Sequence, residues 1–238
     1  MKHQILWGLG LFAIALNNPP LFAQTLPTSP QLIPFDSSEG EQLLINSQNR
    51  QDYFRLSNQF VTQINQAYCG VASSVMVLNA LGIPAPESPQ TKPFRAFTQE
   101  NFFNKEETKK VISADLVAKS GMTLAQLGGL LTSHGAKVNV YYGSDLDLER
   151  FRSLLRQNLS ERGNFAIINY LRKTVGQERG GHISPIGAYN QLTDRFLILD
   201  VSRYKYPPVW VKAVDLWQAI KTIDADAGKT RGFVLVSK

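Results

Sequence analysis

The chain has 238 residues, 43% of them hydrophobic and 18% charged, which suits a folded protein with a sizeable core and excludes a disordered or collagen-like chain. Its net charge of +6 is spread over scattered Lys and Arg residues, with no dense basic run or interleaved aromatic stripe, so nucleic-acid binding is not expected. One cysteine, Cys69, excludes a disulfide framework and a multi-cysteine zinc site.

The amino end reads as a targeting segment. Lys2 and His3 form a short positive start, Ile5 to Leu16 is apolar, and Pro19 to Ala23 ends on a small residue suited to signal cleavage. The apolar run is shorter than the roughly 20 residues a membrane span needs. Residues 1–23 are therefore expected to be a signal peptide. The domain is expected to be exported to a periplasm, or anchored at a membrane if the segment stays uncleaved. Residues 24–35, rich in Thr, Ser and Pro, read as a linker, and residues 36–238 as one catalytic domain whose mature form is not membrane-embedded.

Asp36 to Glu41 has the polar character of a helix start. Gly70 to Leu81 is the clearest helix: Val71, Val75 and Leu78 recur at helical spacing, and Gly82 with Pro84 ends it. Ala72, Met76 and Val77 are apolar too, so burial nearly all round is expected. A second helix is predicted from Thr123 to His134-Gly135, a strand over Val138–Tyr142, and an amphipathic helix from Asp145 to Leu159. Short β-rich runs follow at Phe165–Tyr170, His182–Tyr189, Phe196–Val201 and Phe233–Val236. Helices first and strands second argue for an α+β fold with an antiparallel sheet.

Cys69 stands at the head of the Gly70–Leu81 helix, where unpaired N–H groups and the helix dipole favour a thiolate. Placement alone does not separate a reactive thiol from a buried structural one, so partners decide. Of three histidines, His3 lies in the targeting segment and His134 sits in the last turn of a helix, where it reads as a cationic cap. His182 follows a glycine-rich loop and opens a strand. A hairpin turning through Asn190–Asp194 without a bulge pairs His182 with position 200 or 202, placing Asp200 on the same face as the imidazole. Gln63, six residues before Cys69 in the chain, can supply an amide donor to an oxyanion, with Asn65 and Gln66 as rivals.

Gln63, Cys69, His182 and Asp200 follow the chain order of papain-like cysteine peptidases, although Tyr68-Cys69-Gly70 replaces the Gly-Ser-Cys-Trp signature of papain itself. Three longer blocks, Gln66–Leu81, Gly181–Tyr189 and Leu197–Trp210, resemble phytochelatin synthase in its short bacterial form. The resemblance spans about Asp36 to Lys238. It implies a papain-like fold, a helical amino-terminal lobe on an antiparallel carboxy-terminal sheet, acting on glutathione as donor and acceptor. Cys69 would attack the Cys–Gly bond to form a γ-glutamylcysteinyl thioester. His182 would be general base and acid, Asp200 its orienter, and Gln63 the oxyanion donor. Water would then give γ-glutamylcysteine, or a second glutathione the extended peptide.

Eukaryotic members resemble this domain followed by a cysteine-rich metal-sensing region. This chain carries no such cysteines, so hydrolysis is expected to lead and no protein-bound cofactor is expected. Cd2+ or Zn2+ would enter as glutathione thiolates. A γ-glutamyl group presents an ammonium and a carboxylate, which calls for a fixed acid and base. The resemblance places these near Gly181, Arg203, Asp224 and Arg231, though each charged side chain fits a surface ion pair equally well. A homodimer is compatible with the sequence. The competing readings are a leader-peptide-processing cysteine peptidase and a non-catalytic exported thiol-peptide-binding module.

Overall fold

The computed structural model describes residues 25–88, 92–178 and 180–238; the expected signal peptide lies outside them. In chain order the elements are β1 (Ile33–Pro34), α1 (Ser38–Ile45), α2 (Tyr53–Ser57), α3 (Cys69–Leu81), α4 (Glu106–Val111), α5 (Ala114–Ser120) and α6 (Leu124–Ser133). Then follow β2 (Lys137–Tyr142), α7 (Leu148–Ser160), β3 (Phe165–Leu171), β4 (Gly181–Asn190) and β5 (Arg195–Ile198). The chain closes with β6 (Val209–Lys212), α8 (Ala213–Ile220), β7 (Ile223–Asp224), β8 (Lys229–Thr230) and β9 (Gly232–Ser237).

Seven strands form one sheet in the order β1-β6-β5-β4-β3-β9-β2, every neighbouring pair antiparallel, and β7 and β8 make a separate ribbon. The fold is therefore α+β with an antiparallel sheet. The expected order of helices first and strands second holds only loosely. β2 joins the far edge before α7, and α7 and α8 interrupt the later strands. One apolar cluster packs α2, α3 and α6 against one face of the sheet, and another packs α7 and α8 against the opposite face. Such β3 and β9 strands, covered on both faces, need apolar residues at nearly every position, which explains the unbroken run Phe165–Ile168.

The stretch read as a linker does not run free. Ile33 and Pro34 pair with Trp210 and Val209 as the edge strand β1, Leu32 is buried, and the Leu26 N–H donates to the Lys205 carbonyl 2.8 Å away. Proline suits that position because an edge strand leaves one side of its backbone unpaired. The elements α2, α4, α5, β6 and α8 were not anticipated either. Most are too short for a helical period to stand out, whereas α8 was obscured by the Tyr-Pro-Pro stretch just before β6.

α3 is buried at every residue except Asn79. Two serines are tolerated in it because Ser73 and Ser74 return their hydroxyls to the carbonyls of Cys69 (2.7 Å) and Gly70 (2.8 Å). Ser73 also donates to the Ile183 carbonyl at 3.1 Å, tying the first turn of α3 to the start of β4. The helix ends at Gly82, whose φ of +65° is readily adopted only without a side chain.

Candidate active site

Cys69 is the first residue of α3 and lines a cavity of about 420 Å³. The residue as a whole is 9% exposed and lines that cavity, so it is recessed. His182, at the start of β4, is hydrogen-bonded to Cys69. Its Nε2 lies 2.8 Å from Asp200 Oδ1 and 2.9 Å from Ser184 Oγ, which leaves Nδ1 as the ring nitrogen facing the thiol. Tyr170 meets the imidazole edge-to-face at 5.8 Å.

Asp200 reaches His182 by a different route from the one expected. Near the turn, Asn190 pairs with Arg195 and Ala188 with Leu197, a register that, if continued, would set His182 against Arg203 and put Asp200 on the opposite face. A bulge between Ile186 and Ala188 shifts the register so that Ile186 meets Ile198. The two apolar clusters record the switch: Ile183 and Ala188 face one side and Ile186 and Tyr189 the other. The assumption of an unbulged hairpin is thus corrected, and the extra residue, Gly187, is what returns Asp200 to the side of the imidazole. β5 itself stops at Ile198, short of the predicted Val201, and the chain continues through Leu199 N–H to the Pro185 carbonyl at 3.0 Å.

Asp200 is fully buried and has all its acceptor capacity engaged. Oδ1 takes the imidazole, the Ser202 N–H (2.8 Å) and Arg172 Nη2 (3.0 Å), and Oδ2 takes Arg172 Nη1 (2.7 Å). Arg172, itself buried, also donates to Gln177 Oε1 at 2.6 Å and lies over the Tyr206 ring. Burial pushes the Asp200 carboxyl up, but His182 and Arg172 hold it far below the usual carboxylate range. Burial also opposes charge on Cys69 and His182. The hydrogen bond and charge of His182, the Ile183 backbone and Arg172 nevertheless bring the thiol below its ordinary value. Asp200, helped by its own hydrogen bond and that of Cys69, brings the imidazole above its ordinary value against the opposing charge of Arg172. Both shifts favour a thiolate–imidazolium pair.

Another part of the cavity lining is polar. Arg231 Nη1 donates to Asn169 Oδ1 (2.9 Å) and lies 3.4 Å from Asp224 Oδ2. Its Nε is buried without a hydrogen-bond partner among the described residues. The backbone of Gly181 lies under this guanidinium, since a Cβ there would come within 2.4 Å of Arg231 Nη1. Gly181, Asp224 and Arg231 therefore line the same cavity as Cys69 and His182. Arg203, grouped with them from the sequence, lies elsewhere: its guanidinium covers the Phe60 ring at 4.8 Å, and it borders neither this cavity nor its neighbour. Gln63 borders the neighbouring cavity, which shares His182. Its Nε2 donates to the Asn65 carbonyl (2.7 Å) and to the Tyr204 hydroxyl (3.0 Å). Of its rivals, Asn65 caps the turn into α3 through Ala67 N–H, and Gln66 borders both cavities.

A Phytochelatin synthase family model matches residues 23–233. The chain belongs to the phytochelatin synthase family. It is 36% identical over 221 residues to glutathione gamma-glutamylcysteinyltransferase 1 of Lotus japonicus and 37% identical over 221 to the protein of the same name from Arabidopsis thaliana. The corresponding Schizosaccharomyces pombe protein is 29% identical over 210 residues. These matches cover 92%, 92% and 87% of this chain but only 42%, 44% and 49% of the relatives, so the chain spans under half their length.

Sequence reasoning missed Arg172, Ser184 and Asn169. Nothing distinguished Arg172 from the other Lys and Arg residues, because its burial depends on the loop after β3 folding back over Asp200. Asn169 carried a signal, a lone amide inside the apolar run of β3. His134 was misread. It caps α6 but is 3% exposed between Phe97 and Phe102, and burial followed by the nearby Lys105 charge lowers its pKa to about 4. It is a neutral core residue, not a cation at a helix end. Among the described residues no group of three or more His, Cys, Asp or Glu side chains is placed to hold a metal ion, and no helix is long and apolar enough to cross a membrane.

Proposed function

We propose that this domain is a papain-like thiol acyltransferase that cleaves the Cys–Gly bond of glutathione, a reading supported by relatives named glutathione gamma-glutamylcysteinyltransferase. The observation that carries the proposal is the continuous chain from the Cys69 sulfur through His182 to Asp200, opening onto a cavity that ends in Asn169, Asp224 and Arg231. Arg231 takes the α-carboxylate of the γ-glutamyl group and Asp224 its ammonium.

The Cys69 thiolate attacks the cysteinyl carbonyl, forming a C–S bond. The oxyanion is met by the Cys69 N–H at the start of α3 and by Gln63, whose amide becomes available once the substrate carbonyl displaces the Tyr204 hydroxyl. His182 gives its proton to the glycine nitrogen, the C–N bond breaks, and a γ-glutamylcysteinyl thioester remains. The now neutral imidazole takes a proton from water, or from the amine of a second glutathione, as that group attacks the thioester. The sulfur leaves as thiolate. Metal ions enter this reaction as part of a glutathione thiolate substrate. The apolar amino-terminal run of the sequence supports action outside the cytoplasm.

Incubation with glutathione and mass-spectrometric measurement of free glycine tests the reading. Release by the wild type and its loss in Cys69→Ala are expected. Equal release by both would overturn the nucleophile, and cleavage of double-glycine leader peptides with indifference to glutathione would replace the reading with the peptidase one.

A further inference from the structure

Apart from the imidazole, Asp200 is held by two segments: Arg172, on the loop of residues 172–178 after β3, and the Ser202 N–H, at the head of the turn of residues 202–206. A third segment touches both. The Leu26 N–H donates to the Lys205 carbonyl at 2.8 Å. A little further along, Ser29 and Gln31 lie on Gly176, where a Cβ would come within 2.6 Å of Ser29 Oγ and 2.7 Å of Gln31 Nε2. We propose that residues 25–32 are a positioning strap that ties the 172–178 loop to the 202–206 turn and so keeps Arg172 on Asp200. The stretch that reads as a linker thereby completes the catalytic site, and an endopeptidase cut within it turns the enzyme down. The inference rests on the acyl-transfer reading above for the role of the Cys69–His182 pair.

The strap is anchored along its length. Leu32 and Val175, 4% and 0% exposed, belong to the same apolar cluster. The Gln31 carbonyl accepts from Arg195 Nη1 at 3.1 Å, and Ile33 and Pro34 continue onto β6. Gly176 ends the short turn Arg172–Val175 with a φ of +78°, a conformation glycine adopts freely, and its bare backbone lets the two strap side chains close on it. On its other side the loop meets Tyr206, whose hydroxyl accepts from the Glu178 N–H at 2.7 Å and whose ring lies under the Arg172 guanidinium. Arg172 keeps its two bonds to Asp200 only while this loop is closed against the turn.

The consequence for the thiol is electrostatic. Around the imidazole stand Cys69 from α3, Tyr170 from β3, Arg172 from the loop and Asp200 from beyond β5. Asp224, Asp226, Lys119 and Arg231 face it along the shared cavity. Of these only Arg172 rides on the strapped loop, and Tyr206 faces Arg172 in turn. The guanidinium charge lowers both the thiol and the imidazole. Letting it swing out towards water weakens that influence, so both groups rise.

The test inserts a specific endopeptidase sequence between Pro27 and Thr28 of the full chain, so that one preparation is measured before and after the cut. Two readouts are followed against pH: glycine release from glutathione, and alkylation of Cys69 by iodoacetamide, which reports thiolate formation on the only cysteine in the chain. Before the cut both profiles should match wild type. After it, the alkylation midpoint and both limbs of kcat/KM should move to higher pH, and kcat/KM at neutral pH should fall roughly threefold to tenfold. In an Arg172→Met background the cut should move neither profile further, because the group it acts through is gone. A second variant guards against a cut that merely unfolds the protein. Gly176→Ala pushes Ser29 and Gln31 off the loop and should reproduce the shift. Adding Ser29→Gly and Gln31→Ala reopens the space and should reverse it. An alkylation midpoint unmoved by the cut and by Gly176→Ala, or moved as far in the Arg172→Met background, would overturn the strap. Absence of glycine release from the uncut protein, with the midpoint shifting as expected, would overturn the acyl-transfer reading instead.

Discussion

Replacing Arg172 by Met probes the charge that sequence reasoning overlooked. The guanidinium gives Asp200 two hydrogen bonds, of 2.7 and 3.0 Å, in a pair whose side chains are 4% and 0% exposed. Removing one partner of such a pair costs about 3–5 kcal/mol. Asp200 would keep the imidazole and the Ser202 N–H, so the lower end, about 3 kcal/mol, is expected. At roughly 2–4 °C per kcal/mol for a chain of this size, the Tm should fall by about 6–12 °C. The activity profile separates an electrostatic role from a structural one. Arg172 lowers the pKa of both Cys69 and His182 by its charge. Without it both rise, so the acid limb of kcat/KM, set by thiolate formation, and the basic limb, set by loss of the imidazolium, both move to higher pH. Arg172→Lys keeps the charge and should keep the wild-type limbs while losing part of the stability. Glycine release measured against pH, with calorimetry on the same preparations, reads both effects. Limbs that stay in place in Arg172→Met, or move to lower pH, would refute the reasoning.

Three further outcomes are expected. Asp200→Asn removes the charge that raises the imidazole and strands Arg172, so kcat should fall about 10³-fold, and a loss below tenfold would leave Asp200 a structural role only. Gly181→Ala places a Cβ against Arg231, which Asn169 and Asp224 already hold; KM for glutathione should rise roughly tenfold with kcat within about threefold, whereas an unchanged KM would remove Arg231 from substrate binding. His134 binds a proton near its ordinary pKa when unfolded but only near pH 4 when folded. The folded state thus binds fewer protons, and stability is full above about pH 6.5 and declines towards pH 4 by roughly 3 kcal/mol. Urea titrations at pH 7 and pH 4.5 should show a smaller acid loss in His134→Leu than in wild type, and equal losses would contradict this.

Much of the site was legible because its parts are local signals. α3 announced itself by apolar residues at helical spacing and a glycine stop, and that placed Cys69 at its first turn. His182 and Asp200 were paired by strand periodicity, yet for a reason that was incomplete: the bulge at Gly187 makes the pairing work, and a bulge depends on how Tyr53 and Leu199 pack around that glycine. Features set by distant parts of the chain stayed hidden. The burial of Arg172 requires a loop to fold over Asp200, and the role of Ile33–Pro34 requires β6 as a partner. Arg203 shows the converse error. Nearness in sequence to Asp200 suggested a place in the pocket, but the chain turns after Ser202 and delivers the side chain to Phe60.

The most direct measurement is the intact mass of the protein mixed rapidly with glutathione and quenched in acid. The account predicts a mass gain of one γ-glutamylcysteinyl group, located on Cys69 by peptide mapping, absent from Cys69→Ala and accumulating in proportion to the glycine released. Glycine release without any such adduct at Cys69, or an adduct on another residue, would contradict it.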